Sequence, residues 1–374
     1  MLEPVNESYR GLEYPWGRQT HPQPGEPLAV APGVLWVRVG MPGALDHINV
    51  WLLEDGEGWT LVDTGLAVAG AKESWEQVFV HPLLGNKPIV RVICTHMHPD
   101  HTGLAGWICE RFDCELWMTR EEYLLGRLMM SYTPEQIPEA GIAFYRATGF
   151  NETQLDRYRS RFGGFGKFTT PLPHRYRRIV DRETLMIGDR YWQVMVGRGH
   201  SPEHACLYCP ALKLLIGGDQ ILPRITPNVS VFPTEPEGNP LEEWMSSNSR
   251  LIDLLPPDLL VLPAHQAPYT GLHVRLNQII DGHRLALSRL YDALETPHRV
   301  VDCFGYMFKR PIGDDDIQMA TGETLAHLNL LLHRGNVHRE MDADGVYWYQ
   351  QNPDTRFIDT DDHMAFKDRS PMQT

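Results

Sequence analysis

Hydrophobic and polar positions follow two different periods along the chain, and the first third begins as short strands. Between Gly33 and Val62 the apolar residues form short β-rich runs separated by turn residues such as Gly56 and Gly58, which predicts a meander of strands. A helical period follows over 69–79. The apolar run over 89–94 then predicts a strand that is buried on both faces.

The same alternation continues to about residue 270. Runs of apolar residues predict further strands at 191–196, 205–209, 214–217 and 259–262. A helical period over 240–254 precedes the last of these strands. The sequence therefore predicts an α/β domain in which strands and helices alternate.

The end of the chain has a different pattern, with helices first and a hairpin after them. A helical period covers 274–294, and a second one over 324–334 ends at Gly335, a residue type common just after helices. Two short strands are then predicted at 336–341 and 346–349, and the turn residues at 342–345 between them indicate a hairpin. Together these elements predict a small winged-helix-like α+β domain.

These patterns divide the chain into four parts. We predict an N-terminal extension over 1–28, a main α/β domain over 29–273, the winged-helix-like domain over 274–350 and a polar tail over 351–374. The less regular, partly helical stretch over 110–190 is predicted to be an insertion that covers one face of the main domain.

Composition and charge narrow the possible functions. The 374 residues include 34 Lys and Arg against 48 Asp and Glu, a formal charge of -14, and a field of this sign repels nucleic acid. No apolar run is long enough to cross a membrane. The N-terminus has no signal-peptide pattern, so a cytoplasmic location is expected. Six cysteines are too sparse for the disulfide framework of a small secreted protein.

A dense group of histidines and an aspartate follows the buried strand predicted in the first third. The letters THMHPDH place His96 and His98 two residues apart, so both side chains project to the same side and can bind one ion. Pro99 bends the chain, which lets Asp100 and His101 face a second position. The sequence therefore predicts two adjacent metal sites.

Three further candidate ligands, His200, Asp219 and His265, each follow one of the strands predicted in the second half. Loops at the ends of strands are where α/β proteins place binding and catalytic residues. Zinc takes three or four nitrogen and oxygen ligands, more than the first cluster supplies for two ions. We therefore expect these three side chains to join the first cluster.

The ordered motifs THMHPDH, GHSP, GGD and PAH, preceded by LVDTG, resemble those of the metallo-β-lactamase superfamily. The resemblance covers about Gly33 to Tyr269 and implies an αββα sandwich with two metal ions at one edge of its two sheets. It implies that the first ion is bound by His96, His98 and His200, and the second by Asp100, His101 and His265. Asp219 would bridge both ions.

The resemblance also implies residues that support the ligands without binding metal. Asp63, in the LVDTG motif, resembles the family's supporting aspartate, which orients ligands. His204 lies four residues after His200 and is predicted to have a similar supporting role or a purely structural one. His47, Tyr145 and Tyr269 are candidates for lining the pocket.

One residue distinguishes branches within the superfamily. The zinc β-lactamases share the histidine cluster but lack a bridging aspartate, so Asp219 argues against antibiotic hydrolysis. The resemblance instead favours the lactamase-like and glyoxalase II-like branch of thioesterases, lactonases and nucleases. The predicted C-terminal domain is similar to the winged-helix tail of lactamase-like hydrolases.

We therefore predict a dinuclear metal-dependent hydrolase that attacks a small thioester or ester with a metal-bridging hydroxide, which Asp100 orients. Zinc is the expected metal, with manganese and iron as alternatives. The alternative functions are a ribonuclease Z-type phosphodiesterase and a persulfide dioxygenase that binds one iron through His96, His200 and Asp219. The expected partner is a small-molecule substrate, and the C-terminal domain is expected to wall the cleft and support a homodimer.

Overall fold

The computed structural model describes residues 2–353. Its main domain consists of two stacked sheets with helices on their outer faces. The N-terminal extension contains a small hairpin of β1 (Glu7–Tyr9) and β2 (Leu12–Tyr14). The predicted tail falls almost entirely outside the described residues. None of the helices in the described part combines the length and the apolar character needed to cross a bilayer.

The first sheet has seven strands in sequential order. They are β3 (Leu28–Ala31), β4 (Val34–Gly40), β5 (His47–Asp55), β6 (Gly58–Val62), β7 (Ile89–Ile93), β8 (Glu115–Met118) and β9 (Arg177–Arg178). The first four are antiparallel neighbours, and β6 to β9 are parallel. The connections hold α1 (Ala71–Phe79), the short α2 (Pro99–Thr102) and α3 (Ala105–Phe112). The predicted meander is confirmed. Strand β7 lies where a strand is predicted, but only its carboxyl end is buried on both faces, because Val90 is exposed.

Helices α4 (Arg120–Ser131), α5 (Glu139–Ala147) and α6 (Glu152–Arg161) leave the first sheet after β8 and return before β9. The stretch 110–190 thus contains strands of both sheets, and its helical part is narrower than that range. Helices α5 and α6 share an apolar cluster with the C-terminal part of the chain, including Ile142, Tyr158 and Ile317.

The second sheet has five strands, again in sequential order: β10 (Thr184–Ile187), β11 (Arg190–Gly197), β12 (His204–Cys209), β13 (Leu214–Gly218) and β14 (Leu260–Pro263). The first four are antiparallel neighbours, and β14 lies parallel to β13. Between β13 and β14 the chain forms a long connection and α7 (Pro240–Leu254).

Alternating side chains of the strands build three apolar layers. Trp51 and Ile93 of the first sheet meet Val194 and Ile216 of the second sheet between the two sheets. The other face of the first sheet packs on α1 and α3. The other face of the second sheet packs on α7 and on the N-terminal hairpin. The layers are therefore helix, sheet, sheet and helix, as expected for an αββα sandwich.

The C-terminal part contains α8 (Leu272–Ala293), α9 (Phe304–Met307), α10 (Ile317–His333) and a hairpin of β15 (Val337–Met341) and β16 (Tyr347–Gln351). Helix α8 spans two cores: Leu276 packs under the second sheet, and Leu290 packs with α10. Helix α10 begins seven residues before its predicted start at residue 324 because Ile317, Ala320 and Thr321 are buried there. The comparison with a winged helix stays a prediction.

Candidate metal centre

The seven predicted ligands meet at one edge of the sandwich. They follow β7, β11, β13 and β14, and the pairs β6–β7 and β13–β14 are parallel. Because carboxyl ends of parallel strands share an edge, the loops after these strands converge. Their donor atoms form two groups, each spanning at most 4.8 Å: His96, His98, His200 and Asp219 in the first group, and Asp100, His101 and His265 in the second group.

The first group is rich in imidazole. His96 Nε2 and His98 Nδ1 are 2.8 Å apart, and the ring centroids of His96 and His98 lie 5.1 and 4.7 Å from that of His200. His200 Nε2 lies 3.5 Å from Asp219 Oδ2. Three ring nitrogens and one carboxylate oxygen therefore point at one small volume, which is a ligand set that zinc, manganese and iron accept.

The second group has one carboxylate of its own, Asp100, and lies against the Asp219 carboxylate of the first group. His265 Nε2 lies 3.3 Å from Asp100 Oδ2, and His101 Nε2 lies 3.5 Å from the same oxygen. Asp219 Oδ1 lies 3.5 Å from His101 Nε2 and 3.4 Å from His265 Nε2. The two oxygens of Asp219 thus face different groups, which is the placement that a bridging ligand requires.

Four of these donor atoms are buried and make no hydrogen bond: Nε2 of His101, of His200 and of His265, and Oδ1 of Asp219. Buried polar atoms are nearly always paired, so four unpaired ones around one carboxylate need an explanation. Divalent cations bound between them would satisfy all four. The residues present therefore fit a dinuclear metal centre.

The histidines of the two groups differ in the direction of their pKa shifts. In the first group, burial lowers the pKa of His98 to about 3, and burial together with the neighbouring histidines holds the pKa of His96 well below its usual value. In the second group, burial opposes the charged form, yet Asp100, Asp63 and Asp219 raise the pKa of His101 well above its usual value. The pKa of His265 is raised in the same way by Asp219 and Asp100.

The second group is oriented by the sandwich itself. Asp63, directly after β6, accepts a hydrogen bond from His101 Nδ1 at 2.8 Å through Oδ2, and its Oδ1 accepts one from the Thr95 amide at 2.8 Å. His265 Nδ1 donates to the backbone carbonyl of His47 on β5 at 2.8 Å. With Nδ1 used as a donor, Nε2 of each ring is left free to bind metal.

In the first group, the Thr95 hydroxyl, which Asp63 holds at 2.9 Å, contacts His96 Nδ1 at 3.1 Å. The group also depends on residues outside the sheets, which sequence reasoning missed. His200 Nδ1 donates to the carbonyl of Asn228 at 2.7 Å. The fully buried carboxylate of Glu122 on α4 accepts hydrogen bonds from the Met97 amide at 2.9 Å and from the Glu203 amide at 2.7 Å. Glu122 thus joins the loop of His96 and His98 to the loop of His200. No pattern distinguishes it from its exposed neighbour Glu121.

His204 supports the backbone of the bridging residue. Its Nε2 accepts a hydrogen bond from the Asp219 amide at 3.0 Å, and burial lowers its pKa to about 3, so the ring is a neutral acceptor. At Gly218 φ is +50°, and a Cβ there would lie 2.4 Å from His204 Nε2. His204 belongs to neither donor group, and its contact agrees with the supporting role predicted for it.

The three candidates for lining the pocket have different positions. His47 is adjacent to the centre, with its ring 6.2 Å from that of His265. Tyr145 is buried in the cluster of α5 and α6, and Tyr269 is buried beneath the second sheet. Only His47 lies against a predicted ligand by these contacts.

Family models match two parts of the chain. The model of the metallo-β-lactamase superfamily matches residues 43–265, which include all seven donors. The chain belongs to the metallo-β-lactamase superfamily. A second model, described as a metallo-β-lactamase-like C-terminal domain, matches residues 287–352. The C-terminal helices and hairpin are therefore a domain found with this superfamily's fold.

Similar proteins extend over most of the chain. The crystal structure of a beta-lactamase domain protein from Burkholderia ambifaria is 40% identical, with a TM-score of 0.84, and the match covers 91% of this chain and 98% of that one. The probable metallo-hydrolase YqjP of Bacillus subtilis is 24% identical over 84% of this chain and 97% of its own. The human acyl-coenzyme A thioesterase MBLAC2 is 23% identical over 62% of this chain and 78% of its own.

Proposed function

We propose that the protein is a dinuclear metal-dependent hydrolase of thioesters or esters, with zinc as the preferred metal. The observation that carries this proposal is the Asp219 carboxylate, whose two oxygens face separate groups of donor atoms. Membership of a superfamily that includes a probable metallo-hydrolase, YqjP, agrees with it. Asp219 also argues against antibiotic hydrolysis, because the family resemblance implies that zinc β-lactamases lack this bridging aspartate.

Side chains of the chain supply the metal ligands, and one of them, Asp100, can also carry a proton. Two divalent ions, when bound, would lower the pKa of a water molecule toward neutrality and polarise a carbonyl group. In the second group, His101 and His265 are 0% and 1% exposed in their side chains, whereas Asp100 is 15% exposed. Asp100 is therefore the second-group residue placed to orient the attacking water and to pass a proton to solvent.

A thioester is the favoured substrate class. MBLAC2, which is named as an acyl-coenzyme A thioesterase, shares 23% identity with 62% of this chain. A thiolate leaves without prior protonation because a thiol has a pKa of about 8.5. This suits a centre in which the only solvent-accessible acid or base of the second group is Asp100.

The two alternatives have weaker support. A persulfide dioxygenase would use one iron on His96, His200 and Asp219, which leaves the buried Nε2 atoms of His101 and His265 without partners. A ribonuclease Z-type phosphodiesterase would have to bind RNA against a net charge of -14.

Metal quantitation combined with a substrate screen tests the proposal. The purified protein is expected to hold two ions per chain and to hydrolyse acyl-thioesters or esters faster than lactones and a phosphodiester. One iron per chain with oxygen consumption on a persulfide would instead support the dioxygenase. Hydrolysis of the phosphodiester alone would overturn the choice of substrate class.

A further inference from the structure

The connection between β13 and α7, residues 219–239, runs from the metal centre across the C-terminal helices. The guanidinium of Arg275 on α8 donates to the carbonyls of Leu222 and Ile225, at 2.6 and 2.8 Å. The amide of Asn329 on α10 donates to two carbonyls near the end of the connection, at 3.0 and 2.9 Å. Both helices therefore fix this connection, which has neither helix nor strand of its own.

Asn228, in the middle of the connection, contacts both the metal centre and α10. Its carbonyl accepts the hydrogen bond from His200 Nδ1. Its side-chain amide donates to Glu323 Oε2 at 2.9 Å and to the Met319 carbonyl at 3.3 Å. Two consecutive hydrogen bonds thus link a candidate metal ligand to a carboxylate of the C-terminal domain.

The backbone next to Asn228 lies directly on α10. The Val231 amide donates to the Gly322 carbonyl at 3.1 Å. A Cβ on Gly322 would lie 2.6 Å from Ser230 Oγ and 3.0 Å from the Val231 carbonyl oxygen, so a side chain there would push the connection away. Val229 and Val231 are buried in the same cluster as Leu328 of α10. The position of Asn228 therefore depends on α10.

We propose that Glu323 is a positioning residue for the metal centre: by holding the Asn228 side chain it fixes the carbonyl that orients His200. The C-terminal domain then contributes to metal affinity, although none of the seven donors belongs to it. This inference rests on the metal-binding part of the proposed function and is independent of the substrate.

The geometry assigns a specific chemical task to Glu323. The Asn228 amide needs an acceptor, and Glu323 can accept its hydrogen bond at 2.9 Å in either protonation state. A glutamine can still accept through its carbonyl oxygen, whereas a leucine of similar size cannot accept at all. Glu323→Gln is therefore the conservative variant, and Glu323→Leu is the disruptive one.

Zinc affinity of the metal-free chain, measured by competition with a chromophoric chelator, tests the inference. His98→Ala and His265→Ala identify which binding step belongs to the first group and which to the second. Glu323→Leu is expected to weaken the first-group step by about 10- to 100-fold, the usual cost of losing a contact that orients a ligand, and to leave the second-group step unchanged. Glu323→Gln is expected to stay within about threefold of the wild type.

Leu328→Ala is the matched control for damage to the domain. It removes buried apolar volume from α10, so it is expected to lower the melting temperature by several degrees. Because Leu328 packs in the same cluster as Val229 and Val231 but offers no acceptor to the Asn228 amide, it should change the first-group affinity far less than Glu323→Leu does and leave the second-group affinity unchanged. If Leu328→Ala weakens the first-group step as much as Glu323→Leu does, the effect is general destabilisation and the inference is wrong.

A second test reverses the hydrogen bond between Asn228 and Glu323, so that the residue at 323 donates and the residue at 228 accepts. This test can be used even if Glu323→Leu does not fold. Asn228→Asp places two carboxyl groups against each other and is expected to weaken the first-group step at least tenfold. Adding Glu323→Gln restores a hydrogen bond in the opposite direction, and affinity is expected to recover most of this loss. The absence of recovery would overturn the inference. A wild-type chain that binds fewer than two ions would instead overturn the proposed function.

Discussion

The two donor groups of the metal centre differ in where their support comes from. Asp63 and the His47 carbonyl, which orient the second group, belong to strands of the first sheet or follow them directly. His200 of the first group is oriented by Asn228, whose position depends on α10, and Glu122 of α4 fixes the loops on both sides. The contacts that orient the second group therefore come from the sandwich, whereas the first group depends both on the sandwich, through Thr95, and on the parts added to it.

This difference indicates how the parts outside the sandwich can act on a common centre. Glu122 belongs to the helical insertion and Glu323 to the C-terminal domain, the two additions to the sandwich. Both act on the loop or side chain of His200. We therefore expect substitutions in the insertion or the C-terminal domain to weaken binding of the first ion. Substitutions in the sandwich should mainly weaken binding of the second ion. The predictions below test this difference between the two donor groups.

The largest effect is expected at Asp219, because its two carboxylate oxygens face the two donor groups. Asp219→Asn retains one side-chain oxygen, so it can serve only one of the two groups. Metal content is expected to fall from two ions to about one per chain, and hydrolysis to fall by more than the roughly 100-fold that loss of an orienting contact costs. The exposed Asp253→Asn is the control, and an active variant with two ions would show that Asp219 does not bridge.

Asp63→Asn should weaken the second ion more than the first, because Asp63 contacts His101 directly but reaches His96 only through the Thr95 hydroxyl. An amide nitrogen opposite His101 Nδ1 cannot accept its hydrogen bond, so the ring proton moves to Nε2 and blocks the atom that faces the second group. Second-group affinity is expected to fall about 10- to 100-fold, measured by chelator competition. Asp113→Asn is the matched control because both residues have positive φ, +62° and +48°. Equal loss of both ions would contradict this difference between the two donor groups.

Glu122→Gln should act on the first ion. Glu122 accepts from two buried amides, and glutamine has only one oxygen, so one amide faces another donor. A lost buried hydrogen bond of this kind costs about 1–3 kcal/mol of stability. First-group affinity is expected to fall about tenfold with the second step unchanged, and the exposed Glu121→Gln should change neither. If Glu122→Gln weakens the second-group step more than the first-group step, Glu122 does not support the first group as proposed.

The smallest effect concerns pH. Burial raises the pKa of Glu323 to about 7, although the Asn228 amide acts against this rise. Because the folded pKa lies above the unfolded one, this contribution to stability is complete below about pH 4.5 and is lost as the pH rises through 7. Urea unfolding from pH 5 to 8 should therefore show the wild type losing about 1–3 kcal/mol relative to Glu323→Gln. Parallel pH profiles would contradict the burial of this carboxyl group.

Much of the main domain follows from local pattern. Strands β4 to β7 and β11 to β14 coincide with the predicted apolar runs because each is buried on at least one face, and burial is what hydrophobic periodicity reports. The hairpin of β1 and β2 was not predicted, because strands of three residues carry too little pattern. Helix α6 was not predicted either, because most of its residues are polar and only Leu155 and Tyr158 are buried, too few to give a helical period.

By itself the sequence determined the donors and the order in which they occur. Strand ends place His96, His200, Asp219 and His265 in loops, and histidine and carboxylate chemistry selects a metal. Only the tertiary structure decided what holds these donors, because a hydrogen bond such as that from the Glu203 amide to the Glu122 carboxylate joins residues 81 positions apart. Nothing local distinguishes such a glutamate from a solvated one; its burial and its partners exist only after the additions pack against the sandwich.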